Sequence, residues 1–480
     1  MGGRAAAPDR PVSPVAFRRA AFEEDVPMKT TRTLLHTLTL SLLASGALAA
    51  VSPEEAAKLG ASLTPLGAEK AGNADGSIPE WTGGLPANAG AVDAKGFLAD
   101  PFAQEKPLFV ITAKNVEQYK DKLSPGQVSM FKRYPDSFSM PVFPSHRSAS
   151  VPAKVLEATR YNATHTQLIQ GGNGLEDFRT ANPFPIPQNG LEAIWNHITR
   201  YRGGSVRRQV TQATPQANGS YSLVYFQDEF VFRDQLKDYS PEKPGNVLFY
   251  FKQRVTAPSR LAGNVLLVHE TLDQVKEPRL AWLYNAGQRR VRRAPQVAYD
   301  GPGTAADGLR TSDNLDMYNG APDRYDWKLV GKQELYIPYN SYRLDSPTLK
   351  YADILKPGHI NQDLTRYELH RVWHVTATLK PGERHIYAKR DVYLDEDTWQ
   401  AVVIDHYDGR DNLWRVAEAH SQYYYDKQVP WYTLEAIYDL QSGRYLALGM
   451  KNEEKQAYEF GYTASESDFT PAALRQAGVR

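Results

Sequence analysis

The chain has 480 residues, with 56 Lys+Arg against 55 Asp+Glu for a formal charge of +1, and it has no cysteine. The charge balance excludes the strong basic excess expected of a nucleic-acid binder. The missing cysteine excludes disulfides and lipid attachment through a thiol, so a chain that is 41% hydrophobic must be held by its core.

The N-terminal stretch reads as an address. From Met28 it runs "MKTTRTLLHTLTLSLLASGALAAVSPEEA". Lys29 and Arg32 supply a basic start, residues 34–43 an apolar run too short to span a bilayer, and Ala47-Leu48-Ala49 an A-x-A cleavage site. Residues 1–27 fit no export signal and are expected to be an upstream extension before a start at Met28. Residues 28–49 are the expected signal peptide, cleaved near Ala49. The product is expected in the periplasm, neither lipoprotein nor transmembrane protein.

Residues 50–190 are rich in Pro, Gly and Ala and are expected to be largely irregular, with short helices over 114–123 and 126–134. The stretch "GGNGLEDFRTANPFPIPQNG" (171–190) follows no clear strand and matches no phosphate loop, so it reads as a loop. Next comes a strong helix, "NGLEAIWNHITRYRGG". Leu191, Ile194, Trp195, Ile198 and Tyr201 share one face, Asn189 can cap the start, and Gly203 can end it. Beyond it, from "YSLVYFQDEFVF" to "RYLALGMKN", about a dozen segments rich in Val, Tyr, Trp, Phe and Leu alternate with polar turns. Pro381-Gly382 suits a type II turn. The segments read as one meander, residues 191–480 forming a mainly β domain with a few helices: a large curved antiparallel sheet or barrel. The segment "TPAALRQAG" reads as a closing helix. Charges in the middle of "VLFYFKQRVT" and "RHIYAKRDVYL" argue against a lipid-facing barrel wall.

Three polar clusters invite a chemical reading. "DVYLDEDTWQAVVIDHYDGRDNLWRV" (391–416) holds seven acids and one histidine. As strands and turns, most of the acids fall in the turns 395–398 and 408–412, where short acids accept local backbone hydrogen bonds. Asp405, Asp408 and Asp411 lack the alternate spacing and distal Glu of a calcium loop. In "HRVWH", His370 and His374 lie about 13 Å apart on a strand, and Arg371 stands where a zinc protease needs Glu. No G-x-S-x-G elbow is present. No catalytic set, metal or cofactor is therefore expected. In "QRRVRRAP", Arg290 and Arg292 face one way and Arg289 and Arg293 the other. That pattern is either a charged strand resisting edge-to-edge pairing or a contact for an anionic partner.

Two motifs carry a family resemblance. "WLYNAGQRRVRRAP" resembles a LolA/LolB-type W-x-Y-x-x-x-x-R-x-V signature through Trp282, Tyr284, Arg289 and Val291. The hairpin at 395–407 resembles that family's D-x-x-T-x-x-P-x-x-I-x-x-Y pattern through Asp395, Thr398, Ile404 and Tyr407, with Ala401 in place of Pro. "LTPLGAEKAGNADGSIPEWTGGLP" and "YPDSFSMPVFPSHRSASVP" resemble a long, uncharacterised periplasmic family of Gram-negative proteobacteria, outer-membrane lipoprotein-sorting-like. The resemblance implies a half-open β-barrel closed on its concave side by helices around an apolar cavity. It further implies a hydrophobic or lipid ligand, and as partners an inner-membrane transporter of the resistance-nodulation-division type and an outer-membrane protein. The expected function is a non-catalytic carrier or adaptor, the helix at 191–201 acting as lid. Leu191, Ile194, Trp195, Ile198, Trp282 and Tyr284 are its candidate ligand contacts, and Arg289, Arg290, Arg292 and Arg293 its contact for an anionic partner. The alternatives are a structural interaction module, in which the stripe is ordinary core, and an envelope hydrolase. The oligomeric state is left open.

Overall fold

Alternating apolar residues make strands the main regular element of this chain. The structure, a computed structural model, describes residues 51–478 except Gln170, Pro244 and Val275. The expected extension and signal peptide lie outside the described residues. Short elements come first: α1 (Pro53–Ala56), β1 (Phe109–Ile111), α2 (Pro125–Arg133), β2 (Met140–Val142), α3 (Ala153–His165), the β3–β4 hairpin (Gln167–Leu168, Leu175–Glu176) and α4 (Gly190–Thr199). A first run of strands follows: β5 (Ser205–Ala213), β6 (Leu223–Phe232), β7 (Val247–Ala257), β8 (Val265–Thr271), β9 (Leu280–Asn285) and β10 (Arg290–Arg293). The second run is β11 (Tyr325–Pro338), α5 (Tyr351–Ile354), β12 (Tyr367–Leu379), β13 (Lys389–Asp395), β14 (Ala401–Tyr407), β15 (Leu413–Tyr424), β16 (Val429–Asp439) and β17 (Tyr445–Met450). β18 (Glu459–Phe460) and α6 (Pro471–Gly478) close the chain.

The expected single meander is two meanders joined side by side. β5 to β10 pair in sequence, β11 to β17 pair in sequence, and β17 then pairs with β5. β10 and β11, each paired on one side only, are therefore outer strands of one curved sheet that does not close, and β1 and β2 add a short further edge beside the start of β12. The strand that makes the joint, β5, was not expected from the sequence, because "SVRRQVTQA" dilutes its apolar positions with arginine and glutamine.

Both faces of the sheet are covered. One face, with Phe226, Phe249, Phe251, Leu266 and Trp431, packs on α4. The opposite face of β14 to β17 carries the N-terminal segment, through Met130, Phe131, Phe138 and Met140 against Val416, Leu434 and Tyr438. Residues 51–190 are thus packed against the sheet rather than loose. α2 forms as expected, with a capping box between Ser124 and Gln127. The helix expected over 114–123 is instead two 3-10 turns, Val116–Gln118 and Lys120–Lys122. They are separated at Tyr119, which leaves helical geometry with φ −118 and stacks on Phe109 at 4.8 Å. α3 was not expected: it begins after Pro152 with no side-chain cap to announce it.

Candidate functional site

The concave face lies under two pieces of chain, α4 and the irregular segment 294–324 that connects β10 to β11. α4 starts where Asn189 accepts the Glu192 amide at 3.0 Å. The expected apolar stripe is present, but the opposite side of the helix is buried as well. Each polar residue there has a partner. Asn196 exchanges two hydrogen bonds with the backbone of Phe184. His197 Nδ1 accepts the Ala401 amide at 3.0 Å, which leaves Nε2–H for the Asp316 carbonyl at 3.0 Å. Burial, with Arg200 beside it, pushes the His197 imidazole down to about 3, so it is neutral.

Segment 294–324 is held down by ion pairs as much as by apolar contact. Leu309, Met317 and Tyr318 join the core. Asp316 receives Arg200 at 2.6 Å, Arg202, and the Trp431 indole at 3.1 Å. Burial raises its carboxyl, but Arg200 and Arg202 outweigh that and hold it well below the usual range. Asp313 binds Arg390 at 2.7 Å and His385 at 3.0 Å. Arg415 donates to the carbonyls of Leu309 and Gly308 at 3.1 and 2.9 Å. Such buried pairs add little net stability, yet losing one partner is costly.

Beneath the segment, polar residues occupy inward positions of four adjoining strands: Arg208 on β5, Asp228 on β6, Gln253 on β7 and Glu270 on β8, all buried. Asp228 accepts Arg208 and Gln253, each at 3.0 Å. Glu270 pairs with Arg279 at 2.7 Å and accepts Asn319 at 2.9 Å. Three cavities lie in a row here. The outer one, about 250 Å³, is lined by Arg293, Pro295, Ala298 and Tyr299 among others and reaches Glu270 and Arg279. The middle one, about 50 Å³, shares that ion pair and is walled by Phe249, Phe251, Leu266 and Val268. The inner one, about 30 Å³, shares Phe249 and Phe251 and ends at Arg202, Arg208 and Trp431. The sequence held a signal for this row: in Val206-x-Arg208-x-Val210 and Phe226-x-Asp228-x-Phe230, alternation puts a charge on an otherwise apolar face.

The family model for a protein of unknown function, DUF1329, matches residues 110–475. The chain belongs to the DUF1329 family. An uncharacterized protein of Pseudomonas aeruginosa, PA3922, is 80% identical over 455 residues, spanning 94% of this chain and 100% of that protein. Among solved structures, a domain named for outer membrane lipoprotein sorting from Vibrio parahaemolyticus aligns with a TM-score of 0.41 at 16% identity, over 60% of this chain and 98% of that one. A DUF1329 protein from Desulfovibrio piger aligns with 0.39 at 12%, over 57% and 92%. A LolA superfamily protein from Nitrosomonas europaea aligns with 0.36 at 12%, over 59% and 98%. With scores this low, the fold of the present DUF1329 chain is described by its own strand order.

The residues singled out in the sequence of this DUF1329 protein do not all meet. Ile194, Trp195 and Ile198 are buried in the concave core, and Leu191 is half-buried beside Gly172. The Trp195 indole donates to the Gly172 carbonyl at 2.8 Å. Trp282 and Tyr284 point to the other face of the sheet, where they pack with Phe469 and Leu474 of the C-terminal segment, so they do not share a site with α4. Arg289, Arg290, Arg292 and Arg293 are all exposed on the outer strand β10 and the turn before it. Arg293 covers Trp282 at 5.4 Å and also lines the outer cavity. His374 pairs with Asp391 at 3.0 Å rather than with His370. The turn at 395–398 makes the expected local bonds, Thr398 to Asp395 at 2.6 Å among them. It is nevertheless buried, because Arg147 from the N-terminal segment binds Asp397. This brings His370, Asp395 and Asp397 together, with candidate ligand atoms within 4.8 Å of one another, a grouping the strand spacing of "HRVWH" did not reveal. Asp397 is already neutralised by Arg147 and His370 bonds Glu368 at 3.0 Å, so an ion would have to displace existing partners.

Proposed function

We propose that this DUF1329 protein is a non-catalytic periplasmic carrier or adaptor for a hydrophobic, lipid-like molecule, taken up on the concave face beneath segment 294–324. The observation that carries this reading is the row of cavities, walled by phenylalanine and aliphatic side chains and roofed by a segment tied down by ion pairs as much as by apolar contact. An apolar pocket with a few placed polar groups is the usual form of a small-molecule site, and ion pairs give the roof discrete positions to leave and regain. The expected signal peptide at 28–49 supports export to the periplasm; among the described residues no helix is long and apolar enough to cross a membrane. The exposed arginines at 289–293 beside the outer cavity suit contact with an anionic membrane or protein surface. An inner-membrane transporter of the resistance-nodulation-division type and an outer-membrane protein are the partners we infer. Native mass spectrometry of protein purified from the periplasm of its host tests the proposal. The expected result is a chain beginning at Ala50 or Val51 with an added lipid-sized mass. A bare chain that also takes up no fluorescent acyl probe overturns it.

A second reading has its own support. Trp195 is fully buried with its N–H satisfied, as in a filled core. A structural interaction module of an envelope complex, with no ligand of its own, would look like this, and it is the outcome if the same experiment finds no guest.

A further inference from the structure

Buried arginines in this fold come with carboxylates. Arg147, Arg200, Arg208, Arg366, Arg390 and Arg415 each face an acid within 3.0 Å, and Arg202 shares Asp316 with Arg200. Arg310 is the exception among the described residues. It is 5% exposed, lines the middle cavity, and its side chain has no hydrogen bond or ion pair, with Nε buried and unbonded. The Arg310 carbonyl accepts the Gly303 amide at 2.9 Å, which anchors the backbone from which the side chain lines the cavity. Burial depresses the pKa of the group, and Glu435 and Asp228 offset this only through space. A folded chain that buries a cation without a counter-charge carries a desolvation cost that an arriving anion removes. A guanidinium is also the side chain best shaped to grip a carboxylate or phosphate with two parallel bonds.

We propose that Arg310 anchors the anionic headgroup of a single-chain amphiphile, a carboxylate or phosphate, with the chain lying against Phe249, Phe251, Leu266 and Val268 toward the outer cavity. This rests on the carrier reading and narrows its ligand class. The Glu270–Arg279 pair lines both the middle and outer cavities, so the chain passes beside it. The middle cavity, at about 50 Å³, admits a headgroup as it stands. A long chain requires segment 294–324 to lift.

The test uses cis-parinaric acid and its methyl ester, which share a chain and differ in charge, titrated by fluorescence into the full-length mature protein at pH 8. The acid is expected to bind at least tenfold more tightly than the ester. Arg310→Met is expected to bring the acid down to the ester's affinity, leave the ester unchanged, and leave the unfolding temperature equal or higher, because no native bond is lost. Arg310→Lys is expected to keep part of the preference. Equal binding of acid and ester to the wild type overturns the anchor and leaves the carrier standing. Binding of neither overturns the carrier and the anchor with it. Inorganic phosphate or acetate alone competing at equal strength overturns the amphiphile in favour of a small-anion site. A fall in unfolding temperature together with loss of the ester in Arg310→Met makes the arginine structural and also overturns the proposal.

Discussion

Arg147 and Asp397 meet across 250 positions of sequence, two guanidinium nitrogens lying 2.9 and 2.6 Å from the two carboxylate oxygens. Both side chains are buried. The same guanidinium donates to the carbonyls of Glu69 and Lys70, so one residue ties the N-terminal segment to the β13–β14 turn. Removing one partner leaves an uncompensated buried charge. Arg147→Met is therefore expected to cost about 3–5 kcal/mol, and the double change with Asp397→Asn is expected to recover a large part. Urea unfolding of the two variants measures both.

Asp316 is the corresponding clamp on segment 294–324. Asp316→Asn leaves Arg200 and Arg202 facing each other without their shared acid. A loss of about 3 kcal/mol or more is expected, and hydrogen exchange should accelerate first in residues 305–320. Uniform acceleration across the sheet would show that the segment does not open as a unit.

Glu435 gives the pH dependence a sign. Burial, with Asp316 next to it, pushes its carboxyl up to about 8, and neither oxygen has a hydrogen-bond partner. The folded state therefore holds a proton that the unfolded chain releases near the ordinary value of 4.5. Its contribution is complete below pH 4.5 and is lost as pH rises toward 8. Glu435→Gln is expected to be more stable than wild type by about 2 kcal/mol at pH 8, with the gap closing toward pH 5. Denaturant midpoints across that range provide the check, and a pH-independent gap would exclude a proton-linked cause.

Trp195→Ala is expected to cost about 3–5 kcal/mol, the usual range for a buried aromatic ring, because the ring is closed in and its N–H is bonded. Trp195 lines none of the three cavities, so under the carrier proposal the folded variant is expected to keep binding a fluorescent acyl probe well below its unfolding transition. Loss of stability alone assigns the ring to the core.

Elemental analysis of dialysed protein is expected to show no stoichiometric zinc or calcium. The reason now lies in the partners of His370 and Asp397 rather than in strand spacing. One tightly held ion per chain would mean that Arg147 can be displaced.

Strands and helix α4 were legible because their apolar periodicity is strong and local. The charged face of β5 was missed although its alternation carried a signal, because a lone Arg208 on an apolar face reads as dilution until Asp228 on the next strand supplies its counter-charge. Segment 294–324 gave no signal at all: its burial comes from arginines on β13 and β15 and from the end of α4, which no window of sequence contains. The acid-rich turn at 395–398 was legible as a turn, but its burial was not, since its counter-charge, Arg147, comes from the region expected to be irregular.

The connection between β10 and β11 has a mechanical consequence. Those strands are long margins of the open sheet, each paired on one side only, and the chain joining them runs across the mouth. It is a strap fastened to both lips of a vessel. Its ion-paired buckles can come undone, but its ends cannot part from the margins, so the reach of the released strap limits how far the lips can spread. On this basis the size of any guest would be set by slack in one loop, and shortening that loop should lower the upper limit on guest size without touching a single wall residue.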